Sequence, residues 1–210
     1  MFFVLEGIDG CGKTTQAEKL EKLLAEMFGG GAVLRTREPG GWNGGEKLRE
    51  FVLDGGLASP WSEFFFFMMD RCEHVERVIK PAISAGKIVV SDRYSPSTLA
   101  YQILSNPEIG GGAAGYITRL ADAIGLPAPD AIFLLDIGVC EAEFRLASRD
   151  KADGFDERGR DFFERVREGY DRLMNASPGM WIKIDASRPE EEVFSDIARH
   201  VVRTLEPERK

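Results

Sequence analysis

The stretch GIDGCGKT, residues 7 to 14, constrains this chain more than any other feature, because its spacing matches the GxxxxGK[ST] phosphate loop. Such a loop works only between a β-strand and an α-helix. Here FFVL (2–5) precedes it and TTQAEKLEKLLAEMF (14–28) follows, so strand, loop and helix fall in register. The glycines let successive backbone N–H groups wrap a phosphate, and the helix N-terminus adds a favourable dipole. Gly7, Ile8, Asp9, Gly10, Cys11, Gly12, Lys13, Thr14 and Thr15 are therefore expected to hold a nucleoside triphosphate. Lys13 should reach its β and γ oxygens, and Thr14 should ligate Mg²⁺. Cys11 has two readings: a thiol whose pKa is lowered by the helix N-terminus, or a small residue packed away from the phosphates.

Short apolar runs recur at 2–5, 32–34, 87–91, 131–135 and 181–184, mostly β-branched or aromatic, as in strands of a parallel sheet. Helical periodicity occupies 13–28, 44–54, 61–84, 96–104, 113–124, 139–149, 160–175 and 189–204. This alternation predicts an α/β fold, a doubly wound five-stranded parallel sheet flanked by helices. The 210 residues, 43 % apolar, fit a single domain carrying a small mobile insertion. GGGAAG (110–115) reads as a flexible surface turn and EPERK (206–210) as a frayed tail. FFFFMM (64–69) is too short to span a membrane and is flanked by Glu63, Asp70 and Arg71. Apolar on all sides, it should be covered on more than one face.

A formal net charge of −8 argues against a broad nucleic-acid or membrane-binding surface, which would need excess positive charge. Three cysteines without CxxC spacing suggest a reducing compartment. The opening MFFVLEGIDG lacks a basic leader, so a cytoplasmic protein is expected.

A phosphate loop leaves the fate of the terminal phosphoryl group open: water, a conformational switch or a second substrate. DKAD (150–153) and DAIG (122–125) imitate the NKxD and DxxG motifs of guanine-nucleotide switches. Asp150 replaces the asparagine, however, and the two segments follow or lie on helices rather than strands. DRYSPSTLAYQ (92–102) instead sets Asp92 at the carboxyl end of the third strand, where a carboxylate linked to Mg²⁺ directly or through water belongs. Arg93 beside it can clamp a phosphate. A purely structural Asp–Arg pair is the alternative.

Four motifs in order, EGIDGCGKTT (6–15), TREPGG (36–41), DRYSPSTLAYQ (92–102) and PDAIFLLD (129–136), resemble those of the thymidylate kinases. FMMDRCEHVERVIKPAI (67–83) and WIKIDAS (181–187) extend the resemblance over nearly the whole chain. It implies transfer of the γ-phosphoryl of ATP to dTMP, with Mg²⁺, in a cytoplasmic homodimer. Phe67 and Arg71 stand at i and i+4 on one helix face, and the resemblance has them stack on thymine and bond its carbonyl. It places Tyr101 against the sugar 2′ position, with Ser97, Thr98 and Gln102 around the same pocket. Asp9 falls near the acceptor sugar and the metal, Arg93 on the acceptor phosphate, and Arg37, Glu38 and Pro39 at that end of the pocket. Tyr170 corresponds to a tyrosine near the nucleoside, and equally suits a core position.

The resemblance is to the bacterial type that supplies its arginines from a lid, here about 145–160, because Gly10 and Cys11 leave no arginine in the phosphate loop. Arg145 and Arg149 are the expected lid cations, with Arg149 preferred as catalytic; a solvated helix face paired with Glu141 and Glu143 is the other reading. Where many relatives carry a second lid arginine, this chain has Gly154, and Arg158 or Arg160 are candidate substitutes. Trp42 follows TREPGG in place of the usual threonine and is expected to repack that loop. The alternatives are another nucleoside monophosphate or deoxynucleoside kinase, or a nonenzymatic nucleotide switch.

Overall fold

The computed structural model describes residues 1–55, 57–109, 114–147 and 158–205. Five strands, β1 (Phe2–Glu6), β2 (Val33–Arg37), β3 (Ile88–Asp92), β4 (Ala131–Asp136) and β5 (Trp181–Asp185), form one parallel sheet in the order β2-β3-β1-β4-β5. The expected doubly wound sheet is thus present. Burial follows position: β1 is buried throughout, whereas the edge strands β2 and β5 expose part of their length. Strand alternation splits β1 between two cores, Phe3 and Leu5 on one face and Phe2 and Val4 on the other.

The helices are α1 (Lys13–Phe28), α2 (Gly45–Leu53), α3 (Pro60–His74), α4 (Lys80–Ser84), α5 (Ser95–Thr98), α6 (Ala114–Ala123), α7 (Val139–Ala147), α8 (Arg160–Ala176) and α9 (Glu190–Leu205). A π-helical turn over Val75–Ile79 joins α3 to α4, and a second over Leu99–Leu104 prolongs α5. The phenylalanine run divides around α3: Phe64 and Met68 pack with Ile103, Phe66 and Phe67 lean on the main core, and Phe65 and Met69 are exposed. It is covered on more than one face, as its composition requires, but not on all. Among the described residues no helix is long and apolar enough to cross a membrane.

The sheet order brings three strand ends together. Leu5 lies opposite Asp92, and Asp92 opposite Arg37, so the loop after β1 opens beside the carboxyl ends of β3 and β2. Ligands of open α/β sheets sit at such an end, where the strand order reverses. Gly7 makes the exit from β1 possible: its φ is +143°, and a Cβ there would stand 2.6 Å from the Leu135 carbonyl oxygen.

Candidate active site

Gly12, in the left-handed region with φ 92°, caps α1, whose first turn carries no acidic residue. The positive end of the helix is thereby left for an anion. Lys13 is buried and folded into the loop, its Nζ donating to the carbonyls of Gly7 at 3.1 Å and Ile8 at 2.9 Å. Ile8 itself is a core residue, and Gly7 and Ile8 act through these carbonyls. Cys11 is buried, with Lys13 Nζ 3.6 Å from its Sγ, and burial pushes its thiol pKa up despite the nearby cations. Its burial supports the reading of Cys11 as a small packed residue. Thr15 lines the groove on the outer side of the loop.

Thr14 Oγ1 donates to Asp92 Oδ2 at 2.6 Å, bringing two hard oxygen ligands together at the mouth of the loop. Among the described residues no group of three or more His, Cys, Asp or Glu is placed to hold a metal ion. The pair suits Mg²⁺, which is held by one or two protein oxygens plus phosphates and water.

Arg93 stands next to Asp92 with φ 72°, a left-handed backbone that costs a non-glycine residue about 1–3 kcal/mol. Its N–H donates to the Leu5 carbonyl at 3.0 Å, and its own carbonyl accepts from Ser91 Oγ at 2.7 Å, which hold the turn. The guanidinium pairs with Asp9, donates to Gly7 O and Ser97 Oγ, and lies 4.9 Å from the Tyr101 ring centroid. Tyr101 OH donates to the other Asp9 oxygen at 2.8 Å. Burial alone would raise the Asp9 pKa, but Arg93 and Lys13 overcome it and lower it to about 2. The stability Asp9 contributes is thus complete above its ordinary value near 3.8 and fades only as pH falls toward about 2.

Glu6, which the sequence reading left without a role, lies wholly buried behind this cluster. Its Oε1 accepts from the backbone N–H of Tyr94 at 2.8 Å and of Ser97 at 3.3 Å, and its Oε2 from Ser97 Oγ at 2.6 Å and Tyr170 OH at 2.8 Å. Burial pushes its carboxyl pKa up, against these donors and Arg93. Tyr170 is accordingly a buried buttress that ties α8 to the end of β1.

Three concavities run into one another across this cluster. A narrow slot is lined by Asp9, Glu38, Pro39, Phe67, Arg71, Arg93, Ser97, Thr98, Tyr101 and Gln102, with Arg49 and Leu53 from α2. Every residue the sequence assigned to an acceptor nucleotide is in it except Arg37. Arg37 instead lines a polar chamber with Lys13, Thr14, Asp92 and Gly12, sharing Asp9, Glu38, Arg49 and Arg93 with the slot, and pairs with Glu46 at 2.5 Å. Beyond the loop, the chamber continues through Gly10 and Gly12 into a groove lined by Cys11, Thr15, Gln16, Arg145 and the segment Ala186 to Glu190. Arg145 pairs with Glu141 at 3.0 Å and donates to the Ala186 carbonyl at 3.0 Å while lining this groove.

Sequence reasoning missed Arg49, whose Nη1 donates to the Pro39 carbonyl at 3.2 Å, and the groove wall at Ser187 and Arg188. The WIKIDAS motif was the available signal for the wall; Arg49 sits in an amphipathic helix that reads as ordinary surface. Arg149 and Gly154 lie outside the described residues. Arg158 pairs with Glu63 on α3 and Arg160 with Glu143 on α7. The indole N–H of Trp42 donates to Asp70 at 2.8 Å, and Arg77 lies 5.4 Å from its ring.

A phosphate loop whose chamber opens on one side to a second groove and on the other to an aromatic slot fits a nucleoside monophosphate kinase, a phosphotransferase. The family model for thymidylate kinase matches residues 5–197. The chain belongs to the thymidylate kinase family. It is 38 % identical to the thymidylate kinase of Mesoplasma florum over 98 % of this chain and 97 % of that one. To the thymidylate kinase of Desulfovibrio desulfuricans it is 42 % identical, over 92 % and 91 %. The solved thymidylate kinase of Ehrlichia chaffeensis superposes with a TM-score of 0.78 at 30 % identity, covering 96 % of this chain and 98 % of that one.

Proposed function

We propose that this chain, as one cytoplasmic kinase domain, transfers the γ-phosphoryl of ATP to dTMP, giving ADP and dTDP. The observation that carries the proposal is the continuity of the slot, the chamber and the groove through Asp9, Arg93 and the loop glycines. Two nucleotides laid along it meet phosphate to phosphate. An acceptor phosphate is already a nucleophile, so the protein's work is alignment and charge neutralisation. The bond from the γ-phosphorus to the β,γ-bridging oxygen breaks as a bond to an acceptor phosphate oxygen forms, in line and without a phosphoenzyme.

In this scheme Phe67 stacks on the acceptor base, Arg71 donates to its ring carbonyl, and Tyr101 crowds the sugar. Arg93, Arg37 and Arg49 neutralise the facing phosphates, Lys13 steadies the migrating group, and Arg145 and Arg149 enter from the donor side. Asp9, kept ionised, orients Arg93. Mg²⁺, held by Thr14 and by Asp92 directly or through water, would neutralise phosphate charge.

Trp61, Phe65 and Met69, spaced by one turn along α3, are 44 %, 60 % and 42 % exposed, an apolar stripe that supports a homodimer packed through this helix. One preparation tests both parts. Incubated with MgATP and dTMP it should yield ADP and dTDP in equal amounts, and light scattering should read a dimer. Nucleotide binding without dTDP would leave a nucleotide switch as the better reading, and a monomer at working concentration would count against the dimer.

A further inference from the structure

We infer that His74 is a positioning residue for the acceptor base: it fixes the Glu38 carboxylate and, through it, the guanidinium of Arg71. The inference rests on the assignment of Arg71 to that base. His74 follows Arg71 by three residues on α3 and is wholly buried. Its Nδ1 lies 2.9 Å from Glu38 Oε1 and its Nε2 2.6 Å from Thr36 Oγ1. A carboxylate ion-paired to arginine can only accept, so Nδ1 carries the proton in that bond. The other oxygen, Glu38 Oε2, takes Arg71 Nε at 2.8 Å and Nη2 at 2.6 Å.

Counting donors shows what this arrangement leaves over. Arg71 has five N–H groups. Nε–H goes to Glu38, whose Oε2 also lies 2.6 Å from Nη2 in the ion pair; an Nη2–H goes to the Tyr94 carbonyl at 2.9 Å, and one Nη1–H to Thr98 Oγ1 at 2.8 Å. The remaining Nη1–H has Met68 Sδ at 3.7 Å, a weak acceptor. Arg71 and Thr98 both line the slot, so the Nη1 edge is the one available to a ring carbonyl. A swing of Glu38 would turn that edge, and the bond that prevents the swing comes from His74.

Packing alone does not call for histidine here. A buried imidazole is costly unless both nitrogens are bonded, and a leucine would fill comparable space at no such cost. The loop also packs closely over this pair: a Cβ on Gly41 would stand 2.2 Å from the Arg37 carbonyl oxygen, 2.6 Å from Thr36 Oγ1 and 2.8 Å from His74 Nε2. Thr36 belongs to β2 and Glu38 directly follows that strand, so the imidazole links the sheet edge to the residue that holds Arg71.

The test is a pair of substitutions in the full chain. His74→Asn sets an amide N–H near the position of Nδ1 and keeps the bond to Glu38; His74→Gln brings its amide group near Nε2, where the oxygen can accept from Thr36, and gives up Glu38. His74→Gln is expected to raise the KM for dTMP about tenfold, the equivalent of one lost hydrogen bond, with kcat and the KM for ATP nearly unchanged. His74→Asn should stay close to wild type in the KM for dTMP, whatever its thermal stability. The ratio of kcat/KM for dTMP to that for dCMP does not depend on the folded fraction, and it should fall about tenfold in His74→Gln alone. A His74→Gln protein with unchanged KM and ratio, or two variants that change them equally, would overturn the inference. Wild-type protein that does not turn over dTMP would instead overturn the acceptor assignment on which it rests.

Discussion

Changing Lys13 to methionine is expected to lower kcat for dTMP about 10³-fold, the scale set by removing one preorganised positive group from a site of charge transfer. Methionine keeps the apolar stem of lysine and removes the charge together with the Nζ–H donors to the Gly7 and Ile8 carbonyls. The loop should survive the change. The Gly7 carbonyl also accepts from Arg93 at 3.2 Å, and the turn is anchored by Cys11 N–H to Ile8 O at 3.3 Å. Asp9 keeps Arg93 and Tyr101 as partners, so the acceptor slot stays formed. Steady-state turnover measured beside a thermal melt separates the two effects. A methionine variant that melts like wild type and retains turnover within a factor of about ten would remove Lys13 from the charge-stabilising role.

Arg71→Met should be the more damaging change to the fold, destabilising it by about 3–5 kcal/mol. Arg71 and Glu38 are 2 % and 3 % exposed, so the substitution strands a carboxylate in the interior with His74 as its remaining close partner. Breaking one side of a buried pair is far worse than replacing the whole pair, because the surviving charge keeps its desolvation cost. Urea unfolding should therefore show a large fall in midpoint with an unchanged slope. Adding Glu38→Leu to Arg71→Met should restore much of the stability without restoring the KM for dTMP. A loss below about 1 kcal/mol in the single variant would mean that the pair is solvated and weak.

These two residues also show how far the sequence could be read. Lys13 was legible because strand, loop and helix are contiguous, and local chemistry fixes what each does. Asp92 and Arg93 were legible because a strand end in a parallel sheet faces the ligand whatever its neighbours are. Arg71 was recognised as a ligand-facing cation, but its counter-ion was not, since Glu38, His74 and Thr36 join positions up to 38 residues apart. Local sequence carries no record of which buried charge meets which. The same holds for Glu6, whose four donors come from two distant parts of the chain, Tyr94 and Ser97 in one and Tyr170 in the other. Cys11 differs in kind: the local argument about the helix N-terminus says nothing of the burial that pushes its thiol up, which only the packed loop reveals.

The edge strands teach a related lesson. The run WIKI in β5 has the composition of an interior strand, yet Trp181 and Ile182 are only partly covered, because among the described residues β5 is an edge strand. Strand order, not composition, decided this. Order also decided the site, by bringing β1, β2 and β3 to a common end.

The most direct measurement is kcat/KM with MgATP across dTMP, dUMP, dCMP, UMP and the purine monophosphates. If an aromatic plane and a fixed guanidinium read the acceptor base while Tyr101 guards its sugar, dTMP should lead, with dCMP and UMP each lower by about 10²-fold or more. A protein that used dCMP or UMP as well as dTMP would contradict that recognition.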